Sequence, residues 1–427
     1  MSNPEVANPE RVRFPALYHR DFRVLWIGMV FASGTLAFQY YAQMWLIYSI
    51  TGSAWILGGL GAVRGLATLL FGLYGGALAD RMDRRKLLFV TEIVALVVAA
   101  ALGLMVVMGF TSLPVIFSLI FIGAAAGSID APIRQALIPE LVPERHIPNA
   151  VALTTAAMMG SFAVTPILAG FVIDGIGPGG AYLVSTLGNV GILVALMMLR
   201  YRGAPRAARH EPVWVTIHSG ISYVRGQSVI LWIILLGFIT GAFGFALFHG
   251  LIAKWAGDVL GLAPGQYGLL AATWGVGTLG ASWFMSWRGD IRRHGRIFVI
   301  GSFLFGLSYL AFGLARSIPL AGIAYLINGA AWTAASISGV ALVQKIVPNE
   351  VRGRVMSLFM LSGAIAQVNA LLLGFGADIL GMETLLIGTT LVCTVLVAVA
   401  VLLVPTLRHL DRATGEAIRM RDNISAP

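Results

Sequence analysis

The sequence predicts an all-α membrane protein whose twelve transmembrane helices fall into two six-helix halves. Three observations carry the prediction. Apolar residues make up 58% of the 427-residue chain, charged residues only 11%, and mean hydropathy is +0.85, a balance that excludes an ordinary water-soluble globule. Twelve apolar runs follow one another, each near the ~20 residues that cross a hydrocarbon core of ~30 Å. If the first run leaves from the cytoplasm, 26 of the 29 Lys and Arg lie in the tails and inner loops, which is how orientation is written in a multispanning chain.

The runs lie near residues 24–46, 54–79, 87–109, 113–133, 150–173, 180–199, 229–252, 265–287, 297–315, 319–343, 355–377 and 384–405. Residues 1–23 are polar and lack the apolar core of a cleaved secretory signal, so a cytoplasmic N-terminal tail is expected. The first half is read as 24–199, the second as 229–406, and 407–427 as a cytoplasmic C-terminal tail. Turn chemistry marks Thr51-Gly52-Ser53, the glycine-rich stretch 175–180 and Pro348-Asn349-Glu350, with Ser53 and Asn349 as candidate N-caps. Between the halves, residues 200–228 begin with four arginines and then place Trp214, Ile217, Ile221 and Val224 three or four apart. That spacing reads as an amphipathic helix on the inner membrane surface; a solvated linker is the other reading. The halves also echo each other, Val142-Pro143 with Leu153 matching Val347-Pro348 with Leu358 at an offset of 205.

A net charge of +10 raises nucleic acid as a partner, but the cations sit in short clusters between apolar runs, so none is expected. The single cysteine, Cys393, lies in an apolar run and reads as a small buried hydrophobe. No Cys/His metal spacing, no nucleotide-binding loop and no extramembrane domain is visible. The chain reads as neither an enzyme nor an ATP-driven pump, and no cofactor or metal is expected.

The stretch that organises the chain is GGALADRMDRRK, residues 75–86. It resembles the loop between the second and third membrane helices of the major facilitator superfamily, with Asp83 where that superfamily often has glycine. RQALIPELVPERHIPNAVAL (134–153) and KIVPNEVRGRVMSL (345–358) are similar to the branch that includes enterobactin exporters and macrolide efflux proteins. The resemblance implies two pseudo-symmetric bundles that rock about a central site in a bacterial inner membrane, a small-molecule substrate, a proton as coupling ion, and a monomer. It also implies a latch on the cytoplasmic side. Gly76 lets another helix approach closely, Asp80 faces the N-terminus of the helix beginning near Val351, and Arg81, Arg84 and Arg85 pair with Glu92 or Asp130. A cluster that only fixes orientation is the alternative.

Besides Glu92 and Asp130, Arg64 is the one charge inside a run, about ten residues or ~15 Å from the outer end of its helix. A cation there requires a partner: an anionic or electron-rich part of the substrate, or backbone carbonyls and water. In this family the first, fourth, seventh and tenth helices line the cavity, which implicates Gln39, Gln43, His249, Asn328 and Trp332. Gln39 and Gln43, and likewise Asn328 and Trp332, are four apart and share a face. His249 titrates near neutral pH and suits a coupling proton, or is a satisfied polar group. Proton coupling is not written in the sequence itself: the first helix carries no acid and the fourth no arginine in its outer half. Pro166 resembles a degraded exporter signature, or is a packing kink. An exporter of a bulky small molecule leads; a lysophospholipid flippase and a non-transporting scaffold or sensor are the alternatives.

Overall fold

The computed structural model describes residues 14–201, 221–248, 250–289, 291 and 293–425, with the side chains of 73–81, 245, 248, 349–350, 357, 360–362 and 420–425 outside the description. The described chain is helical throughout. In the first half α1 is Arg20–Thr51, α2 Ala54–Arg81, α3 Arg84–Val107 and α4 Leu113–Leu141. The helical run Ile147–Met198 breaks at Gly177, whose φ of 74° only glycine adopts freely. It therefore supplies two antiparallel rods, α5 (147–176) and α6 (178–198).

In the second half α7 begins at Ser228–Thr240 and continues through a π-helical turn, Gly241–Phe245, into Ala246–Phe248. A short helix, Ile252–Leu260, precedes α8, Pro264–Arg288. Then come α9 His294–Gly313, α10 Ile318–Ile346, α11 Asn349–Leu380 and α12 Met382–Leu403. Each long helix carries apolar residues around most of its circumference, as a rod in lipid must.

The helix ends follow local chemistry. Gly52 closes α1 in the left-handed conformation (φ 60°). Ser53 Oγ accepts from the Ile56 amide at 3.3 Å, capping α2 as read from sequence. Asp83 caps α3 through the Arg85 and Lys86 amides, a physical reason for an acid at this loop position. Pro348 stands at the N-cap of α11 and Asn349 is its first residue; the Asn349 side chain lies outside the described residues. Of the amphipathic stretch proposed between the halves, 202–220 lie outside the description and 221–225 are helical.

Residues after α12 do not trail away. Leu407 and Leu410 are buried, and Leu410–Ser425 form a helix whose Asp411 carboxylate accepts from the Gly295 amide at 2.7 Å and the Arg296 amide at 3.2 Å, capping α9.

The halves meet along two helix pairs. On α2 and α11, a Cβ on Gly58 would lie 2.2 Å from the Ala370 carbonyl, and one on Gly374 2.3 Å from that of Ala54. On α5 and α8, a Cβ on Gly268 would lie 2.3 Å from the Pro166 carbonyl, and one on Gly275 2.4 Å from Ala163 Cα. Only glycine permits backbones this near. All four positions lie in the half of the molecule that carries the α1–α2 turn. Toward the opposite end, where α1 begins and α12 ends, Met158 on α5 and Trp283 and Trp287 on α8 stand exposed, as do Leu168, Phe171 and Leu269 nearer the α1–α2 turn.

Candidate functional site

Two polar groupings sit inside the apolar layer of the first half. Gln43, buried on α1, accepts from Arg64 of α2 at 2.9 Å, and the Arg64 guanidinium stands 4.9 Å from the Tyr40 ring centroid. The sequence left the partner of Arg64 between substrate and backbone. Its partners in the fold are instead two neutral side chains of α1, and no carboxylate meets it among the described residues. A cation over an aromatic face gains ~2 kcal/mol when desolvated, which offsets part of the cost of holding it in an apolar layer.

The second grouping is a chain of bonds across four helices. Gln39 Nε2 donates to Ser185 Oγ at 3.1 Å and to Asn189 Oδ1 at 3.4 Å on α6; Asn189 Nδ2 donates to Glu92 on α3 at 3.3 Å. Glu92 in turn accepts from Arg134 of α4, which also donates to Asp130 one turn earlier, and Thr91 donates to Asp130 at 3.2 Å. Glu92 is 5% exposed and Gln39 partly exposed, so the chain runs from a more open end to a more enclosed one.

The expectation that Arg84 and Arg85 pair with Glu92 or Asp130 is therefore corrected. Arg84 donates to Glu140 at 2.7 Å and to the Ala136 carbonyl at 3.0 Å; Arg85 donates to the Leu196 and Met197 carbonyls at 2.8 and 3.0 Å. Arg85 thereby occupies the electronegative C-terminal end of α6, where a cation is stabilised. The cation that the acids required is Arg134, missed because the fourth run was ended at 133. Asp130 and Arg134 are four apart, the spacing of an ion pair on one helix face. The side chains of Gly76, Asp80 and Arg81 lie outside the described residues, as does all of His249.

Asn328 is corrected as a cavity residue in this conformation. It is fully buried on α10 and turned to α9, donating to the Phe305 carbonyl at 3.0 Å and to Ser308 Oγ at 3.1 Å. Trp332, one turn on, packs its ring 5.2 Å from Phe305, so the two do share a face.

The seal at the α1–α2 end went unread in the sequence. Asp378 on α11 accepts from Ser53 Oγ and from the Ala54 and Trp55 amides. Tyr48 donates to Asp258 at 2.9 Å, Lys254 to the Gly52 carbonyl, and the Gly265 amide to Asp174 at 2.9 Å. Beneath them Tyr41 and Trp45 of α1 pack on Tyr267 of α8 at 5.9 and 5.7 Å between ring centroids. Every one of these contacts crosses from one half to the other.

The family model described as transmembrane secretion effector matches residues 12–424. The chain is 24% identical to macrolide efflux protein A of Streptococcus pyogenes over 91% of this chain and 97% of that protein. It is 24% identical to the enterobactin exporter of Salmonella typhi over 86% and 92%. Among solved structures, a POT family transporter in complex with 5-aminolevulinic acid superposes with a TM-score of 0.75 at 15% identity, covering 91% of this chain and 96% of that one, a likeness of fold.

Proposed function

The chain belongs to the transmembrane secretion effector family of the major facilitator superfamily, and from that premise we propose that it is a secondary active exporter. Its cargo is a bulky amphipathic small molecule of the macrolide or siderophore kind, moved by alternating access and coupled to protons. The observation that carries the reading is the seam at the α1–α2 end. Among the described residues, cross-half bonds, aromatic packing and the closest glycine contacts gather there; the side chains of 73–81 and 349–350, at the other ends of α2 and α11, lie outside the description.

A transporter needs a pair of ends, one shut while the other admits substrate, and rocking about α2–α11 and α5–α8 exchanges them. Cation asymmetry supports placing the open end and both termini in the cytoplasm, so the conformation is the one that loads from inside. The names of the relatives support outward movement. Arg64, Gln43 and Gln39 are proposed at the cavity wall. Gly76, Asp80 and Arg81 are proposed to clasp the cytoplasmic end in the opposite conformation.

Everted membrane vesicles test the proposal. Acidifying their lumen should drive uptake of a radiolabelled macrolide or enterobactin in vesicles containing the protein and not in those lacking it. Equal uptake in both, for both compounds, would remove the exporter reading.

A further inference from the structure

The cluster of Glu92, Asp130 and Arg134 holds two carboxylates and one guanidinium within the apolar layer. Glu92 lies eight residues into α3 and Arg134 seven residues from the end of α4, about 12 and 10 Å deep at 1.5 Å per residue. Water at that depth is scarce, and a net charge of −1 is expensive to keep there. One proton makes the cluster neutral. Asp130 is the poorer place for it: it shares a helix with Arg134 at the four-residue spacing and also accepts from Thr91. Glu92 reaches Arg134 across a helix interface, and among the described residues its second oxygen meets the Asn189 amide alone. If Glu92 becomes neutral, a balanced Asp130–Arg134 pair remains.

We propose that Glu92 is the carboxyl that takes up the coupling proton, and that the Gln39–Asn189 amide chain carries its state to α1. This deepens the exporter reading and rests on it for the proton coupling alone. The groups facing Glu92 are Arg134 and Asp130 from α4, Asn189 from α6 and, through Asn189, Gln39 from α1; none of the α6 or α1 groups is charged. In the ionised state every bond points one way: Gln39 donates to Asn189, and Asn189 donates to Glu92. A hydronium ion gives its proton to Glu92: one O–H bond breaks on the ion, leaving water, as one O–H bond forms on the carboxylate, and no other covalent bond changes. The new O–H requires an acceptor where an N–H donor now stands, so the Asn189 amide turns over and presents its oxygen. Gln39 then meets an N–H where it had an oxygen, and its own amide loses that partner. Its remaining bond is to Ser185. Protonation thus rewrites the contact between α6 and α1, the helix whose Tyr41 and Trp45 form the aromatic layer of the seal.

Infrared difference spectroscopy on the full chain in lipid tests this without a substrate. Acid-minus-neutral spectra of the wild type should contain a protonated-carboxyl C=O band that disappears in Glu92→Gln and returns, shifted, in Glu92→Asp. A band that survives in Glu92→Gln overturns the proposal, as does the absence of any such band in the wild type.

Transport separates the inference from the reading beneath it. In proteoliposomes loaded with a radiolabelled macrolide, Glu92→Gln should lose gradient-driven movement at least tenfold while keeping counterflow within about twofold of wild type. Gradient-driven movement retained in Glu92→Gln overturns the inference and leaves the exporter standing. Loss of counterflow as well, in a monodisperse protein of unchanged melting temperature, overturns it by making Glu92 a structural group. A wild type that exchanges the macrolide but ignores the gradient removes the coupling and the inference together.

Discussion

Asp378, at the end of α11, caps the start of α2: its Oδ1 accepts from the Ala54 amide at 2.7 Å and its Oδ2 from the Trp55 amide at 3.0 Å. A carboxylate of one half thus sits on the positive end of a helix in the other. The loop motif implied the reciprocal arrangement, Asp80 at the end of α2 against the start of α11. Asp174 at the end of α5 stands in the same way at the start of α8, accepting from the Gly265 amide at 2.9 Å; with Asp80 proposed at the far end of α2, the α2–α11 pair would carry one acid at each end of the molecule.

Asp378→Asn keeps the shape and removes the charge. A carboxylate at a helix N-terminus contributes about 0.3–1 kcal/mol when exposed and up to ~2 kcal/mol when partly buried. The population open at the α1–α2 end should therefore rise, by up to about thirtyfold. Distances between spin labels at Phe110 and Leu314, exposed residues of opposite halves at that end, report it. An unchanged distance distribution would show that the cap does not hold the seal.

Gly268→Val should act on the same equilibrium by crowding. Its Cβ would stand 2.3 Å from the Pro166 carbonyl, and backbone cannot yield as a side chain does. Overpacking of this kind costs about 1–3 kcal/mol, charged only to the conformation in which α5 and α8 touch. Gly280→Val on the same helix meets nothing within 4 Å and should leave the label distances as they are. Equal behaviour of the two variants would count against the seam.

Hydropathy was enough to read the rods and their order, because lipid leaves a helix little choice. The details that escaped are those hydropathy averages away. Arg134 fell one residue beyond the run that ended at 133, and its acids were assigned to the nearest visible cations, Arg84 and Arg85. Asp378 sat one residue past a run ending at 377. Asn328 and Trp332 were correctly placed on one face, but a helical period cannot say that the face meets α9. The four-residue spacing of Asp130 and Arg134 was the one legible signal, and it required treating the helix as longer than its apolar core.

Arg134→Gln should be the most damaging change in the first half. It leaves the buried Glu92 and the half-buried Asp130 without a cation, and breaking a buried pair from one side costs about 3–5 kcal/mol. A marked fall in the detergent melting temperature is expected. Glu92→Gln added to it should restore part of the loss, since one of the two stranded charges is then gone. Strict additivity of the two changes would mean that the cluster is not electrostatically joined.

Arg64→Gln separates substrate recognition from packing. Gln43 Oε1 can accept from a new amide, so folding should survive, but the only cation at this depth of α2 is lost. Binding of an anionic probe such as enterobactin should weaken by tenfold or more, about 1.4 kcal/mol. A neutral amphipath of similar size should bind within about twofold of wild type. Isothermal titration with both compounds checks the split, and equal effects on the two would dismiss Arg64 as a ligand for charge.

His19 makes the N-terminal contact dependent on pH. Ahead of α1, its Nε2 lies 2.9 Å from Nδ1 of His146, with the rings 5.2 Å apart, and the Ala16 amide donates to Asn149 nearby. Burial, and then the charges of His146 and Arg145, push the His19 imidazole below its usual 6.5. A group whose value is depressed on folding binds fewer protons folded than unfolded, so stability rises with pH. The contact is complete above the ordinary histidine range and is lost as pH falls through the folded value of His19, because a protonated His19 ring offers only N–H donors and adds a cation close to Arg145. Amide exchange in residues 15–20 should accelerate on moving from about pH 7 to about pH 5 by more than its intrinsic pH dependence. In His19→Phe it should follow the intrinsic dependence alone. Exchange that tracks the intrinsic dependence in both proteins would place the histidine pair outside the forces that hold the N-terminus to the start of α5.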